Sequence, residues 1–128
     1  NINGDTSVKK LLPILLLAAS VNSVAADDFD ATAEKIKSAL SAEIRTESET
    51  DRDKNRKALQ TLEFFGFREN MKVIEIIPGS GWYTKILASV VSDKGEYYAA
   101  LGTGRIKNLT EESGFEKIKI VAEDAKLY

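Results

Sequence analysis

The chain has 128 residues and contains neither cysteine nor histidine. Without cysteine there is no disulfide scaffold, no zinc–thiolate site and no thiol nucleophile. Without histidine the commonest general base and metal ligand is missing, and with it any Ser-His-Asp triad. An enzyme built from this chain works through carboxylates, hydroxyls, Lys, Arg or a bound cofactor, and no metal site is expected. Proline is scarce at two residues, and Trp and Met occur once each. Neither charge sign dominates. Eighteen Lys+Arg stand against 20 Asp+Glu, a net charge of −2, which leaves no basic footprint for nucleic acid. What is present is ordinary globular material: a 43% hydrophobic and 30% charged composition argues against a disordered chain. The length suits one domain at most.

The N-terminus reads as an export signal over residues 1–26. Lys9 and Lys10 precede the apolar run Leu11–Ala19, and Ser20–Ala26 supplies small residues, with Val24 and Ala26 placed for cleavage before the acidic Asp27 and Asp28. The apolar run is short for a bilayer, which needs about 20 residues. The absence of cysteine excludes a lipoprotein anchor. Val8 reads as the true start, with residues 1–7 upstream of it. The mature chain is then expected to be soluble, mildly acidic, free of the membrane, and periplasmic or secreted.

The mature chain divides at about residue 70. Residues 27–70 read as helical: Phe29, Ala33, Ile36 and Leu40 line one face. Ser41–Glu49 reads as a polar surface connection. Thr50 and Asp53 resemble a helix N-cap box, and Ala58, Leu59, Leu62 and Phe65 share a second helix face before a C-capping Gly66. Asp51, Arg52, Asp53 and Arg56 read as a solvated helix start. From residue 71 the period changes. Lys72–Ile77 reads as a buried strand, Pro78–Gly81 as a tight turn, and Trp82, Tyr83, Ile86, Leu87, Val90 and Val91 as one helix face. Glu96–Leu101 and Ile118–Ala122 read as further strands, with a polar stretch between them that holds about one helical turn. Strand, Gly-turn, helix, strand is the opening of a parallel α/β sheet.

The Gly-turn is the informative site, because it lets a ligand approach backbone N–H groups at a helix start. A dinucleotide fingerprint needs a third glycine where Thr84 stands, and the second strand ends in Ala99-Ala100-Leu101 without an acid for a ribose. A hydrolase nucleophile elbow around Ser80 needs glycines where Pro78 and Trp82 stand, and a histidine the chain lacks.

A third pattern is an acid inside the first strand followed by Gly-x-Gly, here Glu75 to Gly81. Together with Asp53–Arg56, Thr61–Gly66, Asn70–Thr84 and Ile86–Ala88, it resembles a family of exported, predicted class I S-adenosylmethionine-dependent methyltransferases. That family's pattern runs T-L-x-F-F-G, then V-x-E-x-x-P-G-x-G-W-Y-T, then L-A. The resemblance covers about Asp51 to Ala100. Asn70, Ala58, Ser80 and Ser89 depart from it, and none of these removes Glu75, Gly79 or Gly81.

The resemblance implies a Rossmann-like methyltransferase fold, of which residues 71–128 form an incomplete N-terminal part with about three parallel strands. It implies S-adenosyl-L-methionine as cofactor, an unknown acceptor, and a fragment with weak or no activity of its own. It places Glu75, Pro78, Gly79, Ser80, Gly81, Trp82 and Tyr83 at the cofactor, with Glu75 organising the turn and the cofactor's ammonium side. Core packing is the competing role for Trp82 and Tyr83. Asp124, after the third strand, matches the position that bonds the adenine amine. Acceptor-orienting residues of such enzymes follow the fourth strand, so no catalytic residue is assigned. An exported non-catalytic small-ligand-binding α/β domain is the alternative.

Overall fold

The computed structural model describes residues 28–121; the expected export signal and Asp124 lie outside them. The first helix, α1 (Phe29–Leu40), is capped by Asp28, whose carboxylate accepts the backbone N–H of Asp30 at 2.9 Å. Its core stripe is Thr32, Ile36 and Ala39, while Phe29 and Leu40 pack at the margin. Two one-turn helices follow, α2 (Glu47–Thr50) and α3 (Asp53–Arg56), and then α4 (Ala58–Phe64), which buries Ala58 and Leu62. Gly66 leaves α4 at φ 72°, as expected of a left-handed cap.

The cap expected at Thr50 and Asp53 stands one turn earlier. Thr46 and Glu49 form a reciprocal capping box, and Thr50 closes α2 with its hydroxyl on the Glu47 carbonyl. Nor is Ser41–Glu49 a mere surface connection, since Arg45 and Glu49 are buried. Both are charged, so hydropathy gave no sign of it; ion pairing makes the burial tolerable.

Three parallel strands follow in the order β1 (Lys72–Ile76), β2 (Glu96–Ala100), β3 (Lys119–Ile120). Helix α5 (Trp82–Val91) joins β1 to β2. Register sets Lys72 opposite Glu96, Ile76 opposite Ala100, and Ala99 opposite Ile120. This is the Rossmann-like arrangement predicted. Helix α5 buries Trp82, Ile86, Leu87, Val90 and Val91, the face read from the sequence together with all but Tyr83, which is half-buried. One core cluster runs from Ile36 and Leu62 through Ile86 and Val90 to Tyr97, Ile106 and Phe115.

Gly95 permits the tight return from α5 into β2. A Cβ there would collide with the Met71 carbonyl oxygen and lie 2.8 Å from Val91 Cβ and 2.9 Å from the Glu69 carbonyl oxygen.

Two expectations need correction. Strand β1 is not fully buried: Ile74 and Ile76 are each 53% exposed, because among the described residues no layer covers their face. The stretch after β2 holds more than one turn. It is a 3-10 helix, Thr103–Glu111, that buries Thr103, Ile106 and Leu109 at three-residue spacing.

Candidate functional site

The site is built where β1 and β2 end. Each strand is followed by a residue in the left-handed region, Ile77 at φ 58° and Leu101 at φ 59°. For a β-branched residue this conformation is a genuine outlier. The Ile77 N–H still donates to the Ala100 carbonyl at 3.0 Å, so pairing continues through the strained position. The chain then turns over a buried Pro78, whose carbonyl accepts the Gly81 N–H at 3.0 Å. Gly81, at φ 90°, is the N-cap residue of α5, and a side chain there would meet Ile106 Cγ2 at 3.0 Å. Glycine is therefore required at Gly81 both by conformation and by space.

Glu75 lies beneath this turn. Its carboxylate accepts the Thr84 hydroxyl at 3.0 Å and the Tyr97 hydroxyl at 3.1 Å, tying β1 to α5 and β2. Burial pushes its pKa above the ordinary carboxylate value, against the pull of those two donors. Burial likewise raises the Tyr97 phenol, so it stays protonated and available to donate.

A cavity of about 440 Å³ opens above the turn. Glu75, Ile76, Ile77, Pro78, Gly79, Ser80, Trp82 and Tyr83 line it, joined by Arg52, Arg56 and Arg105. Its volume lies in the range of small-molecule sites. Of the residues predicted at the cofactor, Glu75, Pro78, Gly79, Ser80, Trp82 and Tyr83 meet on this one cavity. Gly81 sits just behind it as the helix start, and Asp124 lies outside the described residues. Trp82 is only 3% exposed, so it both packs in the core and borders the cavity.

Sequence reasoning missed the three arginines as site residues. Arg52 and Arg56 read as part of a solvated helix start, yet Arg56 lies 4.6 Å over the Trp82 ring and 5.9 Å over Tyr83. The position of Arg56 within the recognised sequence pattern was the available signal. Arg105 lies in a polar stretch with none.

The wall behind Trp82 is a polar lattice. Its indole N–H donates to the Glu49 carbonyl at 2.9 Å. Arg45, with its side chain fully buried, grips Asp53 through both terminal nitrogens at 2.6 and 2.7 Å. Lys85 reaches from α5 to the Glu49 carboxylate at 2.9 Å. Burial pushes that carboxyl up, but the Thr46 backbone N–H and the Lys85 ammonium outweigh it and hold the pKa below the ordinary value.

Residues 41–126 match the family model of protein-L-isoaspartate(D-aspartate) O-methyltransferase. The matched span takes in α2 to α4, the Gly-turn, α5 and all three strands. The chain belongs to this family. Protein-L-isoaspartate(D-aspartate) O-methyltransferases use S-adenosylmethionine as methyl donor, so the protein is placed among the S-adenosylmethionine-dependent methyltransferases. No curated protein and no solved structure matches the chain. The residues at the turn suit such a donor: a carboxylate in the cavity wall, a glycine turn open to close approach, and aromatic side chains at its border. Among the described residues no cluster of carboxylates could hold a metal ion, and no helix is long and apolar enough to cross a membrane.

Proposed function

We propose that this protein binds S-adenosylmethionine in the cavity over Pro78–Ser80 and directs its methyl group to a carboxyl oxygen of a peptide or protein acceptor. The observation that carries the reading is the meeting of Glu75, Pro78, Gly79 and Ser80 on one cavity at the carboxyl end of β1, where α/β sheets of this kind take their ligands. Family membership supports the carboxyl acceptor. The donor supplies an activated methyl group on a cationic sulfur, so the chain's residues need only bind, orient and shield it. Glu75, held by Thr84 and Tyr97, keeps an acceptor carboxyl group at a fixed place below the turn. Lack of histidine is then no obstacle.

The reading extends to location and extent. Residues 1–26 act as an export signal and the mature protein is periplasmic or secreted, as the basic residues, apolar run and cleavage pattern support. Residues 71–128 form the opening part of the methyltransferase domain. The uncovered isoleucines of β1 support that, since further elements would bury them.

Calorimetric titration with S-adenosylhomocysteine tests the site. Binding by the wild type is expected, with loss in Ser80→Phe, which fills the cavity from an exposed position. A folded wild type that gives no heat counts against the site. Transfer of labelled methyl to an isoaspartyl peptide, and not to its aspartyl counterpart, tests the acceptor. Binding without transfer to any peptide favours a non-catalytic ligand-binding protein.

A further inference from the structure

The cavity's charge does not match its expected ligand in a simple way. Three guanidinium groups, of Arg52, Arg56 and Arg105, border it beside one carboxylate, Glu75. That carboxylate is already engaged by two hydroxyl donors. Among the described residues no acid pairs with Arg52, Arg56 or Arg105. The cavity thus offers more uncommitted positive than negative charge, although the methyl donor carries a cationic sulfonium and an ammonium. The donor's one anionic group is its α-carboxylate.

Two arginines lie over the Trp82 ring with different fates. Arg45 lies 5.5 Å from the ring and is committed to Asp53. Arg56 lies 4.6 Å over the same ring and 5.9 Å over Tyr83, half-buried and in the cavity wall, with no ion partner among the described residues. A guanidinium held over aromatic rings without an ion partner keeps its N–H donors, and two of them side by side match a carboxylate. A guanidinium ordered by aromatic faces also loses less entropy when it binds.

We propose that Arg56 is the anchor for the α-carboxylate of the methyl donor, with Arg52 and Arg105 adding positive potential. This rests on the reading of the cavity as the donor site and adds the residue that orients the donor within it. With the carboxylate fixed at Arg56, the ammonium end falls toward the Glu75 side and the cavity's net positive charge is offset. Arg56 thereby also helps a cation to bind in a basic cavity.

The experiment compares S-adenosylmethionine with decarboxylated S-adenosylmethionine, which keeps both cationic groups and lacks only the carboxylate. Calorimetry on the wild type is expected to show about tenfold or greater preference for the carboxylated donor. In Arg56→Gln, checked for folding by circular dichroism, that ratio falls to near one through weaker binding of S-adenosylmethionine alone. Equal affinity of the wild type for the two donors overturns the proposal and needs no variant. It would mean that the guanidinium serves another carboxylate, such as one on the acceptor. A preference that survives unchanged in Arg56→Gln also overturns it, since the carboxylate is then held elsewhere. If the folded wild type binds neither donor, the donor-site reading itself fails, which is distinct from a ratio near one.

Discussion

The indole N–H of Trp82, the first residue of α5, donates to the backbone carbonyl of Glu49, the third residue of α2, at 2.9 Å. The bond is buried and joins the helical segment ahead of the sheet to the helix that carries the Gly-turn. Arg45 and Arg56 both approach the same ring, and Lys85 crosses from α5 to the Glu49 side chain. Arg56 of α3 therefore borders the cavity over a ring that this bond holds in place. Trp82→Phe removes the indole donor, leaves the Glu49 carbonyl with the Arg52 N–H at 3.1 Å as its donor, and shrinks a buried ring. The expected loss is about 1–3 kcal/mol by urea denaturation. Tyr83→Phe, which removes no hydrogen bond seen here, is expected within about 0.5 kcal/mol of wild type.

Glu75 gives the protein a pH signature. Its folded pKa is raised, chiefly by burial, so the native state holds this proton more tightly than the unfolded chain does. Stability contributed by the group is therefore present below the ordinary carboxylate value of 4.5 and is lost as pH rises through the higher folded value. Glu49 acts oppositely. Its folded pKa is lowered, so its contribution is present above the ordinary value and lost as pH falls through the folded one. Thermal melts of wild type and Glu75→Gln across about pH 4 to 7 separate the two. The advantage of the Gln variant over wild type should grow with pH over that interval. A constant difference would show that Glu75 does not titrate there.

Gly95 is fixed by space. Gly95→Ala would press a methyl group against the Met71 and Glu69 carbonyl oxygens and against Val91. Two of these neighbours are backbone and do not yield cheaply. The expected destabilisation is at least about 1–3 kcal/mol, measured by denaturant unfolding. The collision sits at the far end of β2 from the cavity, so donor affinity of the folded fraction should hold.

Ile77 behaves in the reverse sense. Its backbone is left-handed and its side chain is 68% exposed. A β-branched residue pays for this conformation, by roughly 1–2 kcal/mol, whereas glycine adopts it without steric cost. Glycine loses more chain entropy on folding, about 0.5–1 kcal/mol, and little burial is forfeited. Ile77→Gly is therefore expected to raise stability by about 0.5 kcal/mol, seen as a small rise in melting temperature. A loss above 1 kcal/mol would mean that the side chain makes packing the exposed surface does not suggest.

Elements whose residues repeat with a regular period could be read directly. Helix α5 and the order strand, turn, helix, strand follow from the apolar spacing of Trp82 to Val91 and the β-branched run before Pro78. Here local periodicity and core burial point the same way. The segment from Ser41 to Arg56 could not be read so, because its buried groups are Arg45 and Glu49 and its anchor is a main-chain carbonyl. Ion pairing and a distant indole hold it in place, and neither leaves a hydrophobic period. The 3-10 helix after β2 was obscured by its polar composition and its three-residue repeat.

The amino-acid sequence by itself determined the class of the protein: a parallel α/β opening, a Gly-turn after an acid in the first strand, and a chemistry that does without thiol and imidazole. These are properties of neighbouring residues, fixed by backbone conformation and hydrophobic spacing. Only the tertiary structure decided who faces the cavity. Arg56 and Arg52 from the helical segment and Arg105 from beyond β2 meet there, and the buried hydroxyls of Thr84 and Tyr97 hold Glu75 from behind, because packing on α5 brings distant segments together. Side-chain pairing across such sequence distances depends on how the core closes, and no local pattern encodes it.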